Sequence, residues 1–150
     1  MKIEKLTASD VEFYRVSIYE LMQYDFLSTY GKQADSDFIF LRIKKIPEYM
    51  KSNRAIIFGA VEESSLLGFL WAYPVDTPFE VVLHVAYIAV KPAVRKKGIG
   101  SSLLKAIELE AEQRELSHVE LIVGTNNNSA RKFYENSGYM EKRLYMHKRI

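Results

Sequence analysis

The sequence predicts an α+β fold of three layers, α/β/α, in which helices cover both faces of a mixed sheet. Apolar runs of β type alternate with segments of helical periodicity in the order β-α-α-β-β-β-α-β-α-β. With 150 residues, of which 48% are hydrophobic, the chain is long enough to bury a core of its own. No linker, repeat or low-complexity run divides it, so we expect a single domain over residues 1–150.

The N-terminal third predicts one strand and two helices. Residues 1–6 alternate as a short strand does, and residues 7–10 (Thr-Ala-Ser-Asp) supply side-chain oxygens that can cap a helix. The helix that follows has one apolar face, formed by Val11, Tyr14, Ile18 and Leu21. Residues 24–37, with one glycine and scattered Asp and Ser, predict a loop. A second helix then places Phe38, Leu41 and Ile46 inward and ends near Pro47 or at Ser52-Asn53.

The middle of the chain has a β pattern. Residues 55–73 form two apolar runs around the polar residues 62–65, which is typical of a hairpin. Residues 81–90 are almost wholly apolar and predict a long strand with both faces covered.

The last third alternates helix and strand. Residues 101–116 predict an amphipathic helix, and residues 119–123 predict a short buried strand. Asn127 begins another helix that Gly138 ends, and residues 139–150 predict a final strand.

Composition excludes several classes of protein. Twenty-one Lys and Arg against nineteen Asp and Glu leave a net charge of +2, too small to indicate nucleic acid or an anionic membrane as the main partner. The chain has no cysteine, so disulfides, thiolate nucleophiles and cysteine zinc sites are excluded. The first ten residues lack the apolar run of a signal peptide, and no stretch is long enough for a membrane span. We therefore expect a cytoplasmic location.

The turn over residues 90–101 is the first candidate site. It joins a buried strand to an amphipathic helix through two glycines, and it carries the cations Lys91, Arg95, Lys96 and Lys97. Glycines and a helix N-terminus offer free backbone amides, which suit a phosphate or pyrophosphate. The turn is neither a Walker loop, which needs Gly-Lys-Ser/Thr, nor the dinucleotide fingerprint, whose third glycine is here Leu103. The alternative is a surface turn with solvated lysines.

The second candidate segment spans residues 127–139. An asparagine cap, a turn of small and cationic residues, Phe133-Tyr134 and a glycine stop describe a short helix. Taken alone, Tyr134 is best explained as a core aromatic residue with its hydroxyl at the surface.

Together the two segments resemble the GNAT family of acetyl-CoA-dependent N-acetyltransferases. Arg-x-x-Gly-x-Gly follows a strand ending Ile-Ala-Val, and Asn-x-x-Ala-x-x-x-Tyr-x-x-x-Gly-Tyr comes later. The resemblance covers about residues 83–139. It implies a largely antiparallel mixed sheet that is splayed between its two central strands, with acetyl-CoA as cosubstrate and no metal.

The resemblance also implies a set of coenzyme contacts. Backbone amides of the turn would bind the pyrophosphate, namely those of Lys96, Lys97, Gly98, Gly100 and Ser101. Arg95 holds the position where the family has Gln or Arg. The backbone of Ile88 and Val90 would pair with the pantetheine arm, as an added strand pairs with a sheet edge. Asn127 matches the family's asparagine, a pantetheine contact and helix cap together.

Two residues are the candidates for catalysis. Tyr134 matches the family's tyrosine, placed to protonate the leaving sulfur or donate a hydrogen bond to it. Since a phenol of pKa ~10 is a weaker acid than a thiol of ~8.5, we expect hydrogen bonding. His84 is the first candidate for the base, because an imidazole of ordinary pKa ~6.5 takes up a proton at neutral pH. Glu80, on the same face if no bulge intervenes, is second, and an amine that arrives neutral is a third possibility. His84 could instead be a structural core histidine, and His118 and His147 predict no metal site.

The sequence is least informative about the acceptor. Five residues of the predicted loop could receive a cation, namely Tyr24, Asp25, Tyr30, Asp35 and Asp37, although such loops are common in soluble proteins. We expect direct transfer to a primary amine of a small metabolite, since no cysteine can form an acyl-enzyme. The alternatives are an acetyltransferase of protein amines, a coenzyme A-binding regulatory module without turnover, and a nucleic-acid binder. A homodimer is possible, and we expect neither nucleic acid nor membrane as partner.

Overall fold

A computed structural model describes residues 1–150, and the chain folds into one sheet with five helices around it. The elements, in chain order, are β1 (Lys2–Lys5), α1 (Ala8–Phe13), α2 (Arg15–Tyr30), α3 (Ser36–Lys51), β2 (Ile56–Glu62), β3 (Ser65–Asp76), β4 (Val81–Val90), a 3₁₀ turn (Pro92–Val94), α4 (Ile99–Gln113), β5 (Val119–Leu121) and α5 (Asn128–Asn136).

The sheet is mixed and mostly antiparallel, as the sequence predicts. Its strands lie in the order β1-β2-β3-β4-β5; the first four are antiparallel to their neighbours, and β5 is parallel to β4. Two apolar clusters lie on its opposite faces. The first packs α1, α2 and α3 against Trp71 and Tyr87, and the second packs α4 against Leu70 and Leu83. This gives the predicted three layers.

The helix signals in the N-terminal third were partly correct. Thr7 accepts from the amide of Asp10 and the Asp10 carboxylate accepts from the amide of Thr7, so the predicted cap is a capping box. The predicted loop over 24–37 was mostly wrong, because α2 continues to Tyr30 and Gly31 then ends it at a φ of 71°. Pro47 lies inside α3, which ends at Lys51.

The predicted final strand was wrong. Residues 140–150 form no strand or helix, and their side chains are exposed. Three apolar residues follow one another there (Leu144, Tyr145, Met146), so the segment has no single apolar face to place on a core. The preceding strand, β5, spans only three residues, two fewer than the predicted 119–123, and offers a short edge for pairing.

The middle of β4 contains a bulge and pairs with β5 over only a short stretch. Trp71 pairs with Tyr87 but Ala72 pairs with Val85, so Ala86 is an extra residue in β4. The bulge reverses the alternation, and His84 therefore shares a face with Tyr87 and Ala89 rather than with Ile88 and Val90. On the other side, β5 pairs only with residues 83–85 of β4. β5 ends at Leu121, the partner of Val85, so no strand pairs with this edge of β4 beyond Val85, which agrees with the predicted splay.

Candidate functional site

The turn between β4 and α4 presents free backbone amides. Lys96 and Gly98 have left-handed φ values of 61° and 80°, and no side chain caps α4. The first hydrogen bond within the helix runs from the amide of Ser102 to the carbonyl of Gly98, at 3.0 Å. The amides of Ile99, Gly100 and Ser101 therefore have no partner in the helix. An anion placed here would meet three donors and the positive end of the helix dipole.

The cations of this turn have no acidic partners. None of Lys91, Arg95, Lys96 and Lys97 forms an ion pair, although nine ion pairs occur elsewhere in the chain. Uncompensated positive charge beside free amides strengthens the attraction for a phosphate.

The two glycines of the turn serve different purposes. A Cβ on Gly98 would meet nothing within 4 Å, so this position needs glycine for its backbone conformation. A Cβ on Gly100 would lie 3.1 Å from the Phe133 ring, so a larger residue here would force that ring, which connects α5 to α4, to shift.

Replacing Gly98 should therefore cost stability through the backbone alone. Gly98→Ala is expected to lower the free energy of unfolding by about 1–2 kcal/mol, because Ala is strained at positive φ. Gly98→Asn should cost less, since Asn tolerates the left-handed region. Urea unfolding monitored by circular dichroism measures both variants, and an Ala variant as stable as the parent chain would contradict this explanation.

The splayed edge of β4 carries free backbone groups. The amide of Lys91 donates to the carbonyl of Leu67 at 2.8 Å, and in an antiparallel ladder residues that bond the neighbour alternate with residues that point away. The backbone groups of Ile88 and Val90 therefore point toward the side from which β5 has separated. The Val90 carbonyl accepts a hydrogen bond from Arg95 Nε at 3.1 Å. Arg95 thus connects the cationic turn to this edge.

Asn127 joins α5 to α2. Its Oδ1 accepts from the amide of Ala130 at 3.3 Å, which is the predicted cap, and its Nδ2 donates to the carbonyl of Ser28 at 3.4 Å. A polar cleft of about 440 Å³ lies beside this contact, between the end of α2 and the loop before α5. The size is that of a small-molecule pocket.

Tyr134 lies half-buried on α5 with its hydroxyl unpaired. Its ring packs against Phe133 and Tyr139, with centroids 5.2 and 6.1 Å away. Burial, and then the nearby charge of Asp25, raise the pKa of Tyr134 to about 12. The phenol is therefore protonated at every physiological pH and has a proton to donate.

The predicted bases differ in their surroundings. His84 is 15% exposed; its ring lies 5.3 Å from that of Tyr73, and its Nδ1 is 3.2 Å from Glu120 Oε1. Glu80 is bound to residues at the start of β5, because its carboxylate accepts from Ser117 Oγ and contacts His118 Nδ1, both at 2.6 Å. The His84 ring therefore has one close polar partner, whereas the Glu80 carboxylate has two. His147 lies in the exposed C-terminal segment beside Tyr145.

The sequence analysis placed Asp25 in a predicted loop and therefore did not predict its burial on a helix. The residue lies on α2, seven positions after Ile18 and four after Leu21, both fully buried. This spacing puts Asp25 on the buried face of the helix, and burial raises the pKa of its carboxyl to about 7. Continuing the periodicity of the first helix past Tyr24 would have revealed it.

A second cleft, of about 300 Å³, lies between α3 and β3 and is lined in part by Phe38, Arg42 and Trp71. Trp71 is buried in the core, and its Nε1 is a buried donor with no partner. Arg42 lies over the Phe38 ring at 4.4 Å.

The structure contains no group of three or more side chains arranged to hold a metal ion, and none of its helices has the length and apolar character of a membrane span.

The chain matches known proteins along nearly its whole length. A family model described as "Acetyltransferase (GNAT) family" matches residues 15–139. The uncharacterized N-acetyltransferase YhfO of Bacillus subtilis strain 168 is 31% identical over 102 residues, which are 65% of this chain and 67% of YhfO. A Pyrococcus furiosus protein described provisionally as an acetyl transferase is 29% identical, with a TM-score of 0.76 over 99% of both chains. The aminoglycoside N-acetyltransferase AAC(6')-Iy, solved with CoA, is 16% identical, with a TM-score of 0.75 over 99% of this chain and 93% of that one.

Proposed function

This chain belongs to the GNAT acetyltransferase family, and on that premise we propose that it transfers an acetyl group from acetyl-CoA directly to a primary amine of a small metabolite. The observation that carries the proposal is the turn before α4, where three free amides and four unpaired cations adjoin the open edge of β4. A cytoplasmic location, a single domain and a possible homodimer stay predictions.

The turn fits the diphosphate of coenzyme A. Free amides at the start of a 15-residue helix, with Gly98 leaving open space above them, suit a doubly charged anion. We assign this contact to the backbone of Lys96, Lys97, Gly98, Gly100 and Ser101, with the cations of the turn adding charge.

The open edge of β4 fits the amide-bearing arm of the same molecule. Ile88 and Val90 would bind it as an added strand, and Asn127 would approach from the other side. Arg95, which now binds the Val90 carbonyl, would have to share that carbonyl or release it. When bound, acetyl-CoA supplies the activated acetyl thioester. The chain's own residues donate a hydrogen bond to the leaving sulfur and accept the amine proton.

Tyr134 is proposed as the hydrogen-bond donor to the leaving sulfur. A phenol of pKa about 12 would give its proton to a thiolate of ~8.5 at a cost of about 5 kcal/mol, so outright transfer is unfavourable. A hydrogen bond to the developing thiolate needs no such transfer.

His84 is proposed as the base that removes the amine proton, directly or through water, with Glu120 orienting the ring. His84→Ala is expected to lower kcat about tenfold, because water can partly replace the imidazole. The dependence of kcat on pH should differ between the variant and the parent enzyme, because the variant has lost the proposed proton acceptor. His147→Ala, in the exposed C-terminal segment, is the control. Identical pH profiles for His84→Ala and the parent chain would exclude His84.

The function itself is tested by release of coenzyme A thiol from acetyl-CoA with a panel of acceptors. Butylamine, phenethylamine, spermidine and kanamycin represent small amines, and kanamycin also represents the substrate class of AAC(6')-Iy. A peptide with a free N-terminus and an internal lysine tests the alternative of a protein acceptor. Stimulation by a small amine supports the proposal. A chain that ignores coenzyme A at millimolar concentration would refute it, and binding without turnover would indicate a regulatory module.

A further inference from the structure

The cleft between α3 and β3 shares no residue with the proposed coenzyme site. Five of its lining residues lie on α3 and recur with the helical period, so they form one stripe along that helix. Trp71 of β3 completes the lining of a space of about 300 Å³. The stripe consists of Phe38, Leu41, Arg42, Lys45 and Tyr49.

The lining of this cleft contains donors and positive charge but no acid. Neither Arg42 nor Lys45 forms an ion pair, and no acidic side chain is among the lining residues. The Arg42 guanidinium lies 4.4 Å from the centre of the Phe38 ring, a contact that favours its position beside the cleft. The Trp71 Nε1 is buried without an acceptor, which costs free energy in the empty protein. A ligand that brings an anionic acceptor would supply what these groups lack.

The same lining is apolar between its cations. Phe38 and Leu41 are 43% and 59% exposed, so a ligand that covers them removes apolar surface from water. A guanidinium matches a carboxylate in shape and can donate two parallel hydrogen bonds to it. The cleft is therefore complementary to a molecule with an apolar body and a carboxylate.

This cleft lies close to the proposed base along the sheet. Trp71 pairs with Tyr87, and Tyr73 pairs with His84, so the four side chains project from one face of β3 and β4. The ring centroids are 5.4 Å apart in the first pair and 5.3 Å apart in the second. Two residues of strand and one strand spacing place the Cα atoms of Trp71 and His84 roughly 8 Å apart. Tyr73 and His84 are only partly buried, so a ligand can approach them from solvent.

We propose that this cleft binds a carboxylate of the acceptor, with Arg42 and Lys45 as its cations and Trp71 in its wall, while the amine of the same molecule lies at His84. This assignment rests on the proposed acetyl transfer, in which His84 takes the amine proton. The acceptor is then a primary amine joined to a carboxylate by an apolar stem of comparable length, of which 6-aminohexanoate is an example. Glycine, whose two charges are adjacent, is too short to span the site.

The carboxylate takes no part in the transfer itself. The ammonium nitrogen of the acceptor gives up two protons, its bond to the acetyl carbon forms, and the bond from that carbon to sulfur breaks. One proton ends on the thiol of coenzyme A, and the other passes to His84 and then to solvent. Arg42 and Lys45 therefore act on the affinity and orientation of the acceptor.

Binding is tested without turnover by titrating the protein with hexanoate, which has the carboxylate and no amine. The chain has one tryptophan, so its ¹H–¹⁵N spectrum contains a single indole signal, that of Trp71. Hexanoate should shift this signal and saturate, and hexanamide, which lacks the charge, should bind at least tenfold more weakly. Arg42→Gln should weaken hexanoate binding about tenfold, because the guanidinium is lost. Lys44→Gln, which removes an exposed cation of α3 outside the cleft, should change it less than twofold.

Turnover tests the class of acceptor. The KM of the parent enzyme for 6-aminohexanoate should be at least tenfold lower than its KM for 6-aminohexanamide, which has the same amine and stem. Arg42→Gln should remove this preference by raising the first KM and leaving the second within twofold, and Arg42→Lys should keep part of it because it keeps the charge. A merely structural role for Arg42 would change both KM values alike.

The two measurements separate this assignment from the proposed function. An indole signal that hexanoate leaves unmoved, or hexanoate binding that Arg42→Gln does not weaken, would overturn the carboxylate site. Equal KM values for the two acceptors, or no turnover of 6-aminohexanoate by an enzyme that acetylates butylamine, would overturn it as well. Failure to bind coenzyme A, measured by calorimetry on the same samples, would instead refute the proposed function, and the hexanoate titration would still decide whether the cleft binds a carboxylate.

Discussion

Ser101→Glu is expected to weaken coenzyme A binding about 30- to 100-fold while leaving the fold intact. Ser101 is exposed in the first turn of α4, three residues after the cap Gly98. A carboxylate there would lie within ~5 Å of a bound diphosphate, and at an effective dielectric of about 20 the repulsion between two unit charges is about 3 kcal/mol before salt screening reduces it. The same carboxylate favours the helix, because a negative charge near its N-terminus contributes about 0.3–1 kcal/mol.

The test is specific because Ser101→Glu should lower the affinity for coenzyme A without lowering the stability of the fold. Calorimetry should show the loss of affinity, and urea unfolding should show stability equal to the parent chain or slightly higher. Ser101→Gln, which has the same shape without the charge, should bind coenzyme A within a fewfold of the parent. If Ser101→Glu binds as well as Ser101→Gln, the diphosphate does not lie at this turn.

Tyr134→Phe is expected to lower kcat about 10- to 100-fold with little change in coenzyme A affinity. The substitution removes one hydroxyl, and a hydrogen bond to a charged group contributes about 1.5–3 kcal/mol. The hydroxyl has no partner in the structure, so its loss leaves no buried group unsatisfied, and the ring contacts with Phe133 and Tyr139 remain. Stability should therefore change little.

The pH profile of kcat bears on the two roles that Tyr134 could have, which are to protonate the leaving sulfur or to donate a hydrogen bond to it. The raised pKa of about 12 keeps the phenol protonated, so the parent enzyme should show no alkaline loss of kcat from this group below about pH 10. Tyr139→Phe is the matched control, since that hydroxyl faces Glu108 at 3.5 Å. A Tyr134→Phe enzyme with the kcat of the parent would remove Tyr134 from the mechanism.

Local signals predicted the elements around the turn before α4 well. The glycines at 98 and 100, the strand before them and the asparagine cap at 127 each act within a few residues, and chain order brings them together on α4, β4 and α5. The roles of the individual residues stay proposals, but the elements that carry them have the order that the sequence predicted.

The length of α2, the bulge in β4 and the C-terminal segment were predicted poorly because they depend on contacts between distant segments. The extension of α2 past Tyr24 follows from packing against β4, which overrode the polar loop-like composition of that stretch. The bulge at Ala86, which sets the face of His84, has no signature in an unbroken apolar strand. Residues 139–150 have β-type composition, but a strand needs a neighbour to pair with, and composition alone does not supply one.

The separation of the apolar interior into two clusters has an evolutionary consequence. The proposed coenzyme turn is anchored to the cluster beneath α4, and α2 and α3 are anchored to the other cluster, with the sheet between them. Mutations at separated sites usually change stability additively, so the residues of one cluster can be replaced while those of the other are kept. Descendants of such a chain can drift toward new acceptors and still use the same acetyl donor.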